Sequence, residues 1–239
     1  MVLRNSLWNP TSSMKGLTPK SVIFVTGTGH SIGKTLVSAV LAEALEADYW
    51  KPIETASPIG GDAQWIKEII TNKKSIVHPE VYRLKQDISP YYAAKKEGVK
   101  ISLEKIFAAF CLLASANNTL VVEGTGGLIV PLNETEFVAD LVRVLNARVI
   151  LVSSDSPDNV NHSLLTSKIT RQKNLRVLGW VFNNGGINSN DDDIARWSGF
   201  PRLGSIPKLA SINKEAIVQA ASAIKQNIIH ALPQQHVEN

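Results

Sequence analysis

The sequence predicts a single-domain α/β protein, built on a mostly parallel sheet that is flanked by helices. Short runs of β-branched residues alternate with longer segments of helical apolar spacing along the 239 residues, a pattern typical of parallel sheets wrapped by helices. The runs are continuously apolar, as in strands that are buried on both faces. A glycine-rich segment joins the first run to the first helical segment. Such a junction directs backbone N–H groups toward an anion at a helix N-terminus.

The first half of the chain begins with a strand over residues 21–26 (SVIFVT). Residues 33–47 follow as a helix, because apolar residues recur there at intervals of three and four. Residues 49–52 form a second strand, which ends at Pro52 because proline has no backbone donor. We expect a helix over residues 62–70 and a loop-rich stretch from there to residue 100.

The second half continues the same alternation of strands and helices. Three further buried strands are predicted, over residues 119–123 (TLVVE), 147–153 (ARVILVS) and 177–183 (VLGWVFN). Apolar spacing predicts helices before, between and after them, over residues 103–116, 137–145, 159–172, 191–197 and 213–230. The pattern contains no internal repeat and no linker, so we expect one domain over residues 21–232, with a flexible extension over residues 1–20 and a polar tail over residues 233–239.

Composition narrows the class of protein. The formal net charge is +4, with 44% hydrophobic and 19% charged residues, which is ordinary for a globular protein. Lysine and arginine are scattered, and this argues against nucleic-acid binding. No apolar stretch reaches the ~20 residues that span a bilayer, and residues 1–20 lack the apolar core of a signal peptide. The single cysteine, Cys111, suits a reducing compartment. We therefore expect a cytoplasmic protein that binds no membrane.

The strongest motif is a phosphate-binding loop (P-loop) over residues 27–35 (GTGHSIGKT). Its backbone N–H groups and the following helix dipole favour phosphate oxygens, so the fold is expected to be P-loop NTPase-like. Lys34 is positioned to reach the β- and γ-phosphates, and the hydroxyl of Thr35 to reach Mg²⁺. Gly33 lies six positions after Gly27, where five is usual, and Thr28 stands where a glycine is common. The predicted ligand set of the loop is Gly27, Gly29, His30, Ser31, Ile32, Gly33, Lys34 and Thr35.

Further candidate residues follow the other predicted strands. Lys51 and Thr55 lie in KPIET, directly after the second strand, and ligands of open α/β sheets bind beyond the carboxyl ends of the strands. Asp62, in GGDA, either caps a helix or ligates Mg²⁺. Glu123 ends a buried strand just before glycines, a position from which carboxylates commonly hold Mg²⁺ near a P-loop.

Taken in order, GTGHSIGKT, KPIETA, GGDA and VEGTGGLIVPL resemble the dethiobiotin synthetase family. The resemblance extends over residues 22–209, and the long spacing of the loop is itself typical of that family. The resemblance implies ATP- and Mg²⁺-dependent closure of the ureido ring of dethiobiotin from 7,8-diaminopelargonic acid and CO₂. The reaction would pass through a carbamate and a carbamic-phosphoric anhydride and release ADP and phosphate.

The resemblance also implies residue roles. Lys34, Lys51 and Thr55 (a serine in the family) would act on the carbamate and γ-phosphate. Thr35, Asp62 and Glu123 would hold Mg²⁺. Asn183 would read adenine, and the nucleotide set would be completed by Glu123, Gly126 and Pro207. A homodimer is implied, because substrate sites in this family lie between subunits.

Two departures from the family pattern affect the expected ligand contacts. Gly29, His30 and Ser31 replace an Asp-Thr-Glu section, so a hydroxyl and an acid that normally face the ligands are missing. Asp158 lies at the start of the helix that, in the family, takes the substrate carboxylate of the partner subunit. Its like charge should weaken that contact unless the side chain turns away.

Two other functions fit part of the pattern. One is a dimeric ATP-driven switch of the partitioning and placement type, which shares a deviant P-loop but normally carries an extra lysine near the start of the loop. Thr28, Gly29 and His30 offer none. The other is a related ligase that acts on a different amine.

Overall fold

The computed structural model describes residues 21–56, 60–113, 119–184 and 190–233. The predicted extension over residues 1–20 and the tail after residue 233 lie outside the described residues, as do the last three residues of the helix predicted to end at 116. In chain order the strands are β1 (Ser21–Gly27), β2 (Asp48–Trp50), β3 (Ile53–Glu54), β4 (Val77–His78), β5 (Tyr82–Arg83), β6 (Thr119–Glu123), β7 (Arg148–Ser154), β8 (Arg176–Asn183) and β9 (Arg202–Ile206).

Seven of these strands form one sheet in the order β4-β2-β6-β1-β7-β8-β9, and every pair in it is parallel. The pair β3 and β5 forms a small separate parallel sheet. The predicted α/β class with a mostly parallel sheet is therefore confirmed. Because β2, β6 and β1 are neighbours, their carboxyl ends open on the same edge of the sheet.

Eight helices occur in the described residues, with the bounds α1 (Lys34–Leu45), α2 (Asp62–Ile69), α3 (Pro90–Lys96), α4 (Leu103–Leu113), α5 (Val138–Val144), α6 (Asn159–Gln172), α7 (Asp191–Ser198) and α8 (Lys214–Ala231). None of them is long and apolar enough to cross a bilayer. Helix α1 is shorter than predicted, because Glu46 takes a left-handed conformation at φ 50° and ends it.

Both faces of the sheet are buried, which explains the continuously apolar strands. Successive residues of β1 point to opposite sides, so Ile23 packs with α1 and α8 while Phe24 packs with α4 and α5. The same alternation places Tyr49 and Trp50 of β2 in different apolar clusters, and both side chains are fully buried.

Three further predictions about elements were wrong or incomplete. The second strand ends at Trp50 rather than Pro52, and the Pro52 carbonyl instead accepts hydrogen bonds from the backbone of Val81 and Tyr82. The stretch predicted to be loop-rich contains α3, which begins at a proline, and the two-residue strands β4 and β5. Strand β9 (RLGSI) was not predicted, because this edge strand buries only Leu203 and Ile206 and carries glycine and serine between them.

Candidate functional site

The residues predicted for the site gather at the carboxyl ends of three adjacent strands. The P-loop follows β1, Lys51 follows β2, and Glu123 is the last residue of β6. A cavity of about 460 Å³ opens there. It is lined by His30, Ser31, Gly33, Lys34, Thr35, Lys51, Glu54, Thr55, Ala56, Asp62, Asp87, Glu123, Gly124, Thr125 and Gly126. Such crevices beyond the strand ends are where open α/β sheets bind ligands.

The backbone of the P-loop ends in a left-handed glycine. Gly33 has φ 89° and occupies the N-cap position of α1, where no side chain caps the helix. A Cβ at Gly33 would collide with the amide of Asn183, whose Nδ2 donates to the Ile32 carbonyl at 3.1 Å. Asn183 therefore supports the loop from β8, while its buried Oδ1 has no hydrogen-bond partner among the described residues. Gly33, Lys34 and Thr35, which begin α1, line the cavity, and the first N–H groups of a helix suit an anion.

Lys34 and Thr35 begin α1 inside this cavity. The Lys34 ammonium donates to the Gly29 carbonyl at 2.6 Å. Burial lowers the pKa of Lys34 to about 8, with a further decrease from the nearby Lys51 charge and an opposing effect of Glu123. Thr35 donates its hydroxyl proton to Glu123 Oε1 at 2.9 Å. The loop lysine therefore loses its proton more readily than an exposed lysine, and the loop threonine is hydrogen-bonded to the acid at the end of β6.

Lys51 is surrounded by carboxylates. Its Nζ lies 3.1 Å from Glu54 Oε1 and 3.6 Å from Glu123 Oε1, and it makes an ion pair and hydrogen bond with Asp62. Burial lowers the pKa of Lys51, but the three carboxylates outweigh it and raise the pKa above its ordinary value. The side chain is only 10% exposed, so Lys51 is a fixed positive charge at the cavity wall and not a solvated surface lysine.

Glu123 lies beneath this charge and is fully buried. Besides the Thr35 hydroxyl, it accepts a hydrogen bond from Tyr49 Oη to Oε2 at 2.9 Å. Burial raises the pKa of Glu123, and the Lys51 charge and the two hydrogen bonds oppose that rise. The carboxylate is therefore held in one orientation by a donor on each oxygen, with Oε1 turned toward Thr35 and Lys51.

Two residues of this network were not predicted. Glu54 was seen only as part of the KPIET motif, and Tyr49 only as an apolar strand position. An acid inside a two-residue strand and a tyrosine inside a buried strand give no periodic signal of their own. Their roles depend on which elements lie next to one another in the fold, and the local sequence pattern does not show this.

The remaining predicted residues lie at different distances from the cavity. Thr55, His30, Ser31 and Gly126 line it. Gly27 and Gly29 line an adjacent cavity of about 430 Å³ beside His162. Ile32 is a buried residue of the loop.

The other predicted residues do not line the cavity. Asn183 lies behind Gly33, and Pro207 is exposed after β9. Asp158 is exposed at the N-cap position of α6 and makes no side-chain cap.

The chain matches one family model and is similar to proteins of known name over most of its length. A family model described as an AAA domain matches residues 21–216. The chain is 40% identical over 204 residues to the ATP-dependent dethiobiotin synthetase BioD of Cytophaga hutchinsonii, covering 85% of this chain and 97% of that protein. It is 35% identical over 197 residues to the protein of the same name from Christiangramia forsetii, covering 82% and 89%.

Solved structures show the same fold at low identity. The septum site-determining protein MinD complexed with Mg-ADP from Pyrococcus horikoshii superposes with a TM-score of 0.56 at 16% identity, covering 88% of this chain and 95% of that one. At this identity the likeness establishes the fold alone, which is that of P-loop nucleotide-binding proteins.

Tyr49→Phe tests the support of Glu123. The substitution keeps the buried ring but leaves Glu123 Oε2 without its donor, and an unsatisfied buried acceptor costs about 1–3 kcal/mol. We expect that loss in the free energy of unfolding measured in urea. The exposed Tyr92 provides the control, since Tyr92→Phe should change stability by less than about 0.5 kcal/mol. Equal effects of both substitutions would contradict the assigned network.

The lowered pKa of Lys34, about 8, predicts proton uptake when a polyphosphate binds. At pH 8 a substantial fraction of Lys34 is neutral; a bound anion favours the charged form and raises this pKa. Uptake should therefore appear at pH 8 and shrink as the pH falls below 8. The measurement is calorimetry of a non-hydrolysable ATP analogue at pH 8 in two buffers of different ionisation enthalpy. Lys34→Arg should abolish the uptake because arginine stays charged; unchanged uptake in this variant would assign the proton elsewhere.

Proposed function

The chain belongs to the dethiobiotin synthetase family, an ATP-dependent ligase family of biotin biosynthesis, and we propose that it closes the ureido ring of dethiobiotin from 7,8-diaminopelargonic acid and CO₂. The diamine is first converted to a carbamate. A carbamate oxygen then attacks the γ-phosphorus, the bond to the β-phosphate oxygen breaks, and ADP leaves. The second amine attacks the carbamate carbon of the resulting carbamic-phosphoric anhydride, and phosphate is released.

The observation that carries this proposal is that Lys34, which begins α1, and Lys51, which follows β2, line the same cavity. Lys34 belongs to the P-loop, and Lys51 follows β2 and faces the same carboxylate, Glu123. Two ammonium groups aimed at one place stabilise the negative charge that spreads over a phosphoryl group during its transfer. In this proposal Lys34 binds the β- and γ-phosphates, while Lys51 and Thr55 face the carbamate and the transferring group.

The donor atoms also suit Mg²⁺. Thr35 Oγ1 and Glu123 Oε1 lie 2.9 Å apart, and Asp62 approaches the same ammonium as Glu123, so three hard oxygen donors face one region. Among the described residues no group of three His, Cys, Asp or Glu side chains forms a protein-only metal cage. That agrees with Mg²⁺ held by one or two carboxylates together with phosphates and waters. Bound there, Mg²⁺ would neutralise charge on the β- and γ-phosphates.

The proposal also covers the contact with adenine and the assembly of two subunits. Asn183 Oδ1 is a buried acceptor without a partner among the described residues, which suits the amino group of adenine. We propose a cytoplasmic homodimer, in which the start of α6 from one subunit meets the diamine bound to the other. Asp158 is exposed at that helix start, where it is free to turn away from a substrate carboxylate.

A switch ATPase of the partitioning type is the weaker alternative. The likeness to MinD is a likeness of fold at 16% identity, whereas the dethiobiotin synthetases match at 35% and 40% over most of their length. Residues 28–30 also lack the lysine that such switches normally carry.

The direct test is formation of dethiobiotin by the purified protein supplied with ATP, Mg²⁺, bicarbonate and 7,8-diaminopelargonic acid. Lys34→Ala should abolish ATP turnover, because the triphosphate loses its loop cation. Lys51→Ala should spare nucleotide binding and remove product formation, because its charge acts on the transferring group. Product is measured by mass spectrometry and ADP by a coupled assay.

Two results would contradict the proposal. If the native protein forms neither dethiobiotin nor ADP with these substrates, the reaction is wrong. If Lys51→Ala leaves the rate within about threefold, a change below ~1 kcal/mol in the barrier, the role of this lysine is wrong. Lys100→Ala, a change at a surface lysine that is 77% exposed, is the matched control and should behave like the native protein.

A further inference from the structure

Glu54 is a buried acid whose two oxygens serve two different residues of the site. Its exposed fraction is 3%. Oε1 lies 3.1 Å from Lys51 Nζ, and Oε2 accepts a hydrogen bond from the backbone N–H of Asp62 at 2.9 Å. The backbone of Glu54 is fixed in turn, because β3 pairs with β5 and the Glu54 carbonyl accepts from Leu84 N at 2.8 Å.

The bond to Asp62 replaces a helix cap. Helix α2 begins at Asp62, and its N-cap residue is Gly61, which has no side chain to offer. The first N–H groups of a helix need an acceptor, and a negative charge there is favourable. Glu54 supplies both from another element, so the position of the Asp62 backbone, and with it the Asp62 carboxylate, depends on Glu54.

The contact with Lys51 has a second effect. Three carboxylates, those of Glu54, Asp62 and Glu123, share this one ammonium. Asp62 and Glu123 are the carboxylates that we assign to Mg²⁺, and Glu54 is not. A cation that draws Asp62 and Glu123 toward itself therefore leaves Glu54 as the charge that keeps Lys51 in place beside the phosphates.

We propose that Glu54 is the positioning residue of this site, holding Lys51 with one oxygen and Asp62 with the other. This inference rests on the proposed function for the reaction that Lys51 serves. In this proposal Glu54 acts through Lys51, which we assign to the reacting groups, and through Asp62, which we assign to Mg²⁺. Replacing a residue that orients a metal ligand typically lowers metal affinity or activity by about 10- to 100-fold.

Two substitutions separate the two contacts. Glu54→Gln keeps an oxygen that can accept from Asp62 N but removes the charge that attracts Lys51. Glu54→Ala removes both. Glu80→Gln is the matched control, because a Glu80 oxygen also lies near Gly61 and no role in the reaction is assigned to it. Thermal unfolding of each variant shows whether the protein is folded. If Glu54→Ala is unstable, Glu54→Leu, which fills the same space without an acceptor, replaces it in the test of the contact with Asp62.

The first measurement is calorimetric binding of a non-hydrolysable ATP analogue with and without Mg²⁺, which needs no turnover. In Glu54→Ala the gain in analogue affinity that Mg²⁺ provides should be about tenfold smaller than in the native protein. The affinity measured without Mg²⁺ should change little. Glu54→Gln should keep that gain within about threefold, since its amide oxygen still caps α2. The second measurement is the rate of dethiobiotin formation. Glu54→Gln should lower kcat about tenfold and leave the KM for ATP nearly unchanged.

An undiminished Mg²⁺-dependent gain in Glu54→Ala would overturn the assigned contact with Asp62. A kcat of Glu54→Gln within about twofold of the native value would overturn the assigned contact with Lys51. If Glu80→Gln lowers the Mg²⁺-dependent gain in affinity and kcat as much as the Glu54 variants do, any nearby acid has this effect. That result would overturn both assigned contacts of Glu54. If the native protein forms no dethiobiotin, the proposed function fails, and the calorimetric comparison still decides whether Glu54 positions Asp62.

Discussion

The site depends on one buried ammonium group held among three carboxylates. Lys51 is nearly enclosed, and its partners Glu54, Asp62 and Glu123 come from β3, α2 and β6. Removing one partner from a buried ion pair commonly costs several kcal/mol, because the remaining charge is left uncompensated. The cluster therefore fixes three elements relative to one another. It also keeps Lys51 charged beside the P-loop, where burial has made Lys34 easier to deprotonate.

The topology of the sheet is what makes this cluster possible. Strands β2, β6 and β1 are adjacent and parallel, so residues that are distant in sequence emerge side by side at one edge. Hydrogen bonds to Glu123 then connect all three, from Thr35 after β1 and from Tyr49 within β2. The loop backbone is supported from the opposite side by Asn183, at the end of β8. The candidate phosphate-binding donors and the acidic oxygens are thereby held around one cavity by the sheet.

The sequence predicted the fold class and the main candidates for the site, because their signals are local. A glycine loop between a buried strand and a helix is recognisable without tertiary information, and so are acids and lysines that follow apolar strands. Glu54 and Tyr49 were missed because their significance depends on which strands become neighbours. Helix α3 and strand β9 were missed because a seven-residue helix and an edge strand with two buried residues carry little periodic pattern. The roles of all the predicted site residues stay predictions, those of Lys34, Lys51 and Glu123 included.

The central claim is that Lys51 and the carboxylates around it act on the terminal phosphate of a nucleotide held by residues 27–35. A crystal structure with a non-hydrolysable ATP analogue, Mg²⁺ and 7,8-diaminopelargonic acid tests it most directly. The account predicts the triphosphate along the P-loop, Mg²⁺ contacted by Thr35 and an acidic side chain, and Lys51 Nζ within hydrogen-bonding distance of a γ-phosphate oxygen. A triphosphate bound elsewhere, or a Lys51 turned away from the γ-phosphate with the diamine in place, would contradict it.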